Sequence, residues 1–366
     1  MRNNENKRSA KLDICRLVGA LIVMAHHTWL FGNEDYPFAV GWIYVEFFLI
    51  ITGYFTVKHF WGFQADISVG KKCKVALEYV FHKIRRLWFF AFVSVAMVYI
   101  LDWIYARPQG KGEILSFLES WICEAFFWGI GGIGQTLSYQ TVWGYNLAPL
   151  WYLSSVIVVL PIVCLLLLGI KSKKIFVYFS WMIPVFYYTY MGGVHVYRIW
   201  PHDIVRTLVG ISLGAFVFII CTELQKIKLK IIAKIFVTII EISAFIFAIV
   251  LCYYSVDNTF LILFLFILLL VCILSEVGLM QIKSNKFTLF IGDKLSMVMF
   301  LAHWPVFRFI QYRNVDWMIG RKTLFGYLGT LLASCILIWL ECKIEKCIPS
   351  ILKLLGNKGE SIPDVR

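Results

Sequence analysis

The sequence is short of charge. Only 16% of its 366 residues are Asp, Glu, Lys or Arg, against about 25% in an ordinary soluble domain. What charge there is leans to one sign, with 35 Lys and Arg against 22 Asp and Glu. No Cys-x-x-Cys pair occurs, so neither a zinc knuckle nor a disulfide framework is indicated, and no metal site is expected. The ten cysteines, Cys15, Cys164, Cys221, Cys252, Cys272 and Cys335 among them, lie mostly inside apolar runs and read as small packing residues. No low-complexity tract or short repeat is visible. A cleavable leader is not expected. Residues 1–11 are polar and basic, and the apolar run that follows is too long for a signal-peptide core and has no small-residue cleavage site.

The chain has apolar surface in excess. Hydrophobic residues make up 60%, aromatic residues 17%, and the mean hydropathy is +0.76. A water-soluble fold would have to expose much of this. A bilayer removes the difficulty, because a spanning helix needs about 20 mostly apolar residues and Trp and Tyr collect at the interfaces. The expected fold is all-α, a polytopic transmembrane helical bundle of about ten spans. The spans read as 12–31, 40–57, 84–105, 147–168, 175–191, 204–221, 231–254, 260–280, 295–312 and 324–340. Segment 114–128 is amphipathic and reads as interfacial. Residues 1–11 and 341–366 then form polar tails around a membrane domain over 12–340.

The cations alternate from loop to loop. One set holds Lys7, Arg8 and Lys11, then Lys71, Lys72, Lys83, Arg85 and Arg86, then Lys171, Lys173 and Lys174, and so on to Lys343, Lys346 and Lys353. The opposite loops hold only Arg107, Lys111, Arg198, Arg313, Arg321 and Lys322. By the positive-inside rule both termini are expected in the cytoplasm. The same distribution accounts for the net charge of +13 without nucleic acid as a partner.

Ionisable residues inside spans are costly and mark function by default. Arg16 and His27 lie on one helix. Their spacing is three turns plus about 20°, so they share a face and stand about 16 Å apart along the axis. Asp13 precedes Arg16 by one turn and is placed to pair with it. The structural alternative is an arginine reaching the headgroups and a hydrogen-bonded histidine. Glu46, near the start of the second span, is a carboxylate able to orient His27 as a triad acid orients its histidine; a solvated vestibule residue is the alternative. His303 precedes Pro305, which frees a backbone carbonyl within the helix. Lys83, Arg85 and Arg86 open the third span. A basic cluster there holds the phosphates of membrane lipids or of a nucleotide-bearing donor. The glycine-rich stretch 129–134 follows no strand and reads as an external loop.

Together these residues resemble the membrane-bound acyltransferase-3 family. Asp13, Arg16 and His27 form a D-x-x-R-x10-H pattern. Val45, Glu46, Phe47, Phe48, Thr52, Gly53 and Tyr54 are similar to the family's second-helix segment, with Glu for Asp and Thr for Ser. Lys83 and Arg86 stand where the family has R-x-x-R, and Lys83 offers a point charge in place of a guanidinium fork. Leu150, Trp151 and Leu153 match L-W-x-L, and Gly292, Ser296, Leu301, His303 and Pro305 match the family's late motif. The resemblance covers most of the chain. It implies an acyl-CoA co-substrate, most often acetyl-CoA, with no cofactor bound permanently. It also implies a carbohydrate acceptor, a cell-envelope polysaccharide or its lipid-linked precursor, and a place in the cell membrane. Under that resemblance Lys83, Arg85 and Arg86 bind the donor, and Arg16 and His27 act on the thioester and acceptor hydroxyl with Glu46 in support. Asp13, Trp151, Tyr152 and His303 line the cavity. A transporter or flippase of a lipid-linked glycan is the other class that fits a polytopic bundle with buried charge. A scaffold would have no use for Arg16 and His27 on one face.

Overall fold

The computed structural model describes residues 9–32, 36–63, 68–106, 110–126, 148–170, 176, 180–187, 202–256, 258–313 and 318–354. Among these residues everything regular is helical, apart from an isolated bridge between Ser9 and Lys283. In chain order the helices are α1 Ala10–His26, α2 Tyr44–Phe60, α3 Val69–Tyr105, α4 Gly110–Ala125, α5 Trp151–Gly169, α6 His202–Leu224, α7 Ile231–Tyr253 and α8 Thr259–Ser275. A four-residue α9, Lys286–Leu289, runs through a π-helical segment, Phe290–Leu295, into α10, Ser296–Arg313; α11 is Ile319–Leu354.

Seven helices among the described residues are long and apolar enough to cross a membrane. α8 is as apolar but only 17 residues long, about 25 Å at 1.5 Å per residue. Of the span expected at 175–191, residues 176 and 180–187 are described and helical; the glycine-rich 129–134 lies outside the described residues. Segment 114–128 was expected to lie in the interface. Most of it falls in α4, which turns Phe117, Ser120 and Glu124 inward.

The bundle has a large apolar core, yet α7 packs in the inverse of a soluble helix. On α7, Glu241, Ala244, Ala248 and Leu251 are buried, while Ile232, Phe236, Ile239, Ile246 and Phe247 are exposed. Small and polar side chains face the bundle and large aliphatic ones face outward, as a hydrocarbon surround requires. The third helix is the largest departure from expectation. α3 starts at Val69 rather than near residue 84, because the basic stretch carrying Lys71, Lys72 and Lys74 continues as helix. At 37 residues it is about 55 Å long, well beyond a hydrocarbon core of about 30 Å.

α2 lies in the most buried of the seven spanning segments, and α6 runs parallel to it in direct backbone contact. A Cβ on Gly53 would fall 2.2 Å from the Ile211 carbonyl oxygen, and one on Gly214 would fall 2.2 Å from that of Ile50. Only glycine permits so close a crossing. Gly53 lies two turns from Glu46 and Gly214 two turns from Arg206, so the crossing fixes the register in which those two residues meet.

Candidate active site

Arg16, Lys83 and Arg86 converge on one cavity of about 220 Å³ between α1, α2, α3, α5 and the π segment. Lys83 and Arg86 share a face of α3 at i and i+3, with Leu87 beside them on the wall. Arg85 lies about 100° around the helix and is exposed. It therefore stands off the cavity wall, against the expectation that all three cations bind together. The long N-terminal extension of α3 also moves the cluster from the helix start to about four turns inside it.

Of the four residues expected to line the cavity, Tyr152 does so. Thr52 donates to the Phe48 carbonyl at 2.9 Å, so the Tyr152 hydroxyl is the donor in its 3.2 Å contact with Thr52 Oγ1. Asp13, Trp151 and His303 stand elsewhere. Asp13 is fully buried behind Arg16, 3.7 Å from its guanidinium, and accepts from Ser284 Oγ at 2.5 Å. Trp151 neighbours Tyr152 in sequence and so points away from it, under the Arg206 guanidinium at 4.5 Å from the ring centroid. His303 lies one turn beyond Phe300, which with Phe48 and Tyr152 closes that end of the cavity.

Behind this aromatic wall the structure brings His27 and His303 together. His303 Nδ1 is 3.3 Å from the Met299 carbonyl, which only accepts, so Nδ1 carries the hydrogen and Nε2 the lone pair. That Nε2 is 3.1 Å from His27 Nδ1, which is also 2.9 Å from the Val23 carbonyl. Both contacts are satisfied by one N–H on His27 Nδ1. The hydrogen positions are thus assigned from the network. The assignment leaves the lone pair of His27 on Nε2, the atom a base or nucleophile would use. The rings are held from the sides by Trp304, edge-on to His27 at 5.1 Å between centroids, and by Phe307 against His303 at 5.6 Å. His27 begins a 3-10 turn, His27–Phe31, that continues α1.

Glu46 was expected to orient His27. The structure pairs it instead with Arg206, whose Nε donates to Glu46 Oε1. The carboxylate is wholly buried, and the guanidinium lies between Trp151 and Trp42, 5.1 Å from the latter. The α2–α6 crossing sets this partnership, and His303 takes the place beside His27. Arg206 is the residue that the sequence reading passed over. Its signal was an arginine near the start of an apolar span, the same sign that drew attention to Arg16.

A second buried ion cluster joins α3 to α10. Arg308 Nη2 donates to Asp102 Oδ1 at 3.1 Å, and the Tyr312 hydroxyl donates to the same oxygen. Asp102 is 1% exposed. Among the described residues no group of three or more His, Cys, Asp or Glu is placed to hold a metal ion.

The geometry is therefore a cationic cavity, an aromatic wall and, beyond it, a histidine whose lone pair lies on Nε2. No curated protein and no solved structure matches the chain. One family model does match, the acyltransferase domain, over residues 9–340. That range takes in the cationic cavity, both histidines, the Glu46–Arg206 pair and every crossing described above, and the chain belongs to the membrane acyltransferase-3 family.

Proposed function

We propose that the protein is an O-acyltransferase that moves an acyl group, acetyl in the simplest case, from acyl-CoA to a hydroxyl of a cell-envelope or exported glycan. The observation that carries this reading is the placement of Arg16, Lys83 and Arg86 around one cavity whose far wall adjoins His27 and His303. The cations suit CoA phosphates by charge-assisted contact. The acyl-bearing arm then extends toward Phe48, Phe300 and Tyr152. In the reading we favour, His27 Nε2 takes the proton of the acceptor hydroxyl as its oxygen attacks the thioester carbonyl. The carbon–sulfur bond breaks, and the thiolate leaves with the proton that His27 took up. His303 Nε2 and the Val23 carbonyl hold the imidazolium at its opposite edge. Arg16 draws the donor toward this position, and the Glu46–Arg206 pair keeps α2 and α6 in register around it. Donor and acceptor approach from opposite ends of α1.

The test uses the full chain in liposomes with radiolabelled acetyl-CoA and envelope glycan. Label in the glycan with wild type, and none with His27→Ala, supports the reading. Equal labelling by both overturns it. A flippase of lipid-linked glycan, the alternative, would move glycan across the bilayer and ignore CoA.

A further inference from the structure

The cavity contains a group with the wrong sign for its task. Asp293 lies on its wall, and its Oδ2 is 2.5 Å from Arg86 Nη2. Among the described lining residues it is the only carboxylate beside Arg16, Lys83 and Arg86. We infer that Asp293 is a resident counter-ion: its carboxylate pairs with Arg86 and yields that place to a phosphate of the incoming donor. The inference rests on the reading of the cavity as the acyl-CoA site.

The fold holds Asp293 there by construction. It sits in the π-helical segment Phe290–Leu295, and π turns inside α-helices are rare and concentrate at functional sites. The turn is held against α1 before it and within it. Before it, Ser284 donates to Asp13 and bonds Thr288 at 3.0 Å, and Asn285 and Thr288 form a capping box. Within it, Gly292 lies against α1 so closely that a Cβ would fall 2.3 Å from Asp13 Cα. The neighbouring Lys294 is engaged elsewhere, 2.6 Å from Glu341, which leaves Asp293 directed at Arg86.

The exchange conserves pairs. The Asp293–Arg86 contact breaks, an Arg86–phosphate contact forms, and the carboxylate returns to water. Its side chain is already 26% exposed and that of Arg86 53%, so neither group needs the bundle to open. Because the competing carboxylate is tethered, it acts at an effective concentration that a free monovalent anion does not match. A phosphate bearing close to two charges and several acceptor oxygens does. Asp293 is therefore a specificity-determining residue. It screens the cavity against small anions and limits how tightly the spent donor is held.

CoA binding is measured calorimetrically on the purified full chain in detergent, at several salt concentrations, for wild type, Asp293→Asn, Arg86→Gln and the double variant. Asp293→Asn is expected to bind CoA about two- to fivefold more tightly, the worth of a part-exposed ion pair. Its affinity should also fall more steeply with salt, because donor binding now releases a solution anion in place of a tethered one. Arg86→Gln should bind more weakly, and in its background Asp293→Asn should give no gain. Asp293→Ser, a second neutral variant, should behave as Asp293→Asn does. If wild type binds CoA and the Asp293 variants bind it no better, or if the gain persists without Arg86, the counter-ion role is wrong while the donor reading stands. If wild type binds no CoA, the donor reading falls, and this inference with it.

Discussion

Replacing His303 by Leu tests the histidine pair most directly. The side chain is fully buried, and Leu matches it closely enough in size to leave the packing against Trp304 and Phe307 in place. What is lost is the acceptor 3.1 Å from His27 Nδ1. Before proton transfer this is a bond between neutral groups, worth a net of about 1 kcal/mol. Once His27 carries the proton it becomes charge-assisted, worth about 1.5–3 kcal/mol. Only the difference, about 0.5–2 kcal/mol, acts on the chemical step, which sets the expected loss in kcat at about 2–30-fold. His303 lies off the donor cavity, so KM for acyl-CoA should hardly move. His303→Gln presents an amide oxygen near the place of the lost nitrogen and should recover most of the rate. The assay is acyl transfer by protein in liposomes at saturating donor, with thermal unfolding in detergent to confirm that each variant is folded. A folded His303→Leu protein with wild-type kcat, or a Gln variant no faster than the Leu variant, would refute the tautomer argument.

Other outcomes follow from the same geometry. His27→Ala removes the Nε2 lone pair and should lower transfer by about 10²–10⁴-fold with membrane insertion unchanged, read by transfer assay and by membrane fractionation. Removing one member of the buried Glu46–Arg206 pair, by Glu46→Leu or Arg206→Met, should destabilise the protein by about 3–5 kcal/mol. The double variant should lose less than the two singles together, measured as melting temperatures in one detergent. Gly292→Val should lower the melting temperature, because its side chain must push the π segment off Asp13; an unchanged melting curve would remove the close packing from the account. Arg85→Gln should leave CoA affinity within about twofold of wild type, since an exposed charge off the wall contributes little, whereas Arg86→Gln should weaken it.

The sequence was most legible where one helix decides the outcome. Arg16 and His27 lie along one helical segment, α1 continued by its 3-10 turn, because the apolar run that carries them is unbroken. Apolar runs announced most of the helices for an equally local reason. Pairings between helices were not legible. Glu46 found Arg206 rather than His27 because Gly53 and Gly214 bring α2 and α6 into backbone contact, and nothing in either helix alone specifies that crossing. Trp151 and Tyr152 are adjacent in sequence yet serve two sites, since consecutive residues of a helix point about 100° apart. Asp293 escaped notice for another reason. In the sequence it lies in a polar, basic connection between two apolar runs, and only the π turn and its seat on Asp13 turn it toward Arg86.

The length of α3 has a mechanical consequence. Lys83 and Arg86 lie on the same unbroken helix as Asp102, with about 24 Å of rod between Arg86 and Asp102. One end borders the cationic cavity and the other is bolted to α10 through Arg308 and Tyr312. Were that length to rock as a unit, each 5° about its midpoint would carry the two ends about 1 Å in opposite directions. α10 also carries His303. Whatever leaned on α3 from the cavity would therefore tug, through Asp102 and Arg308, on His303 and so on its contact with His27.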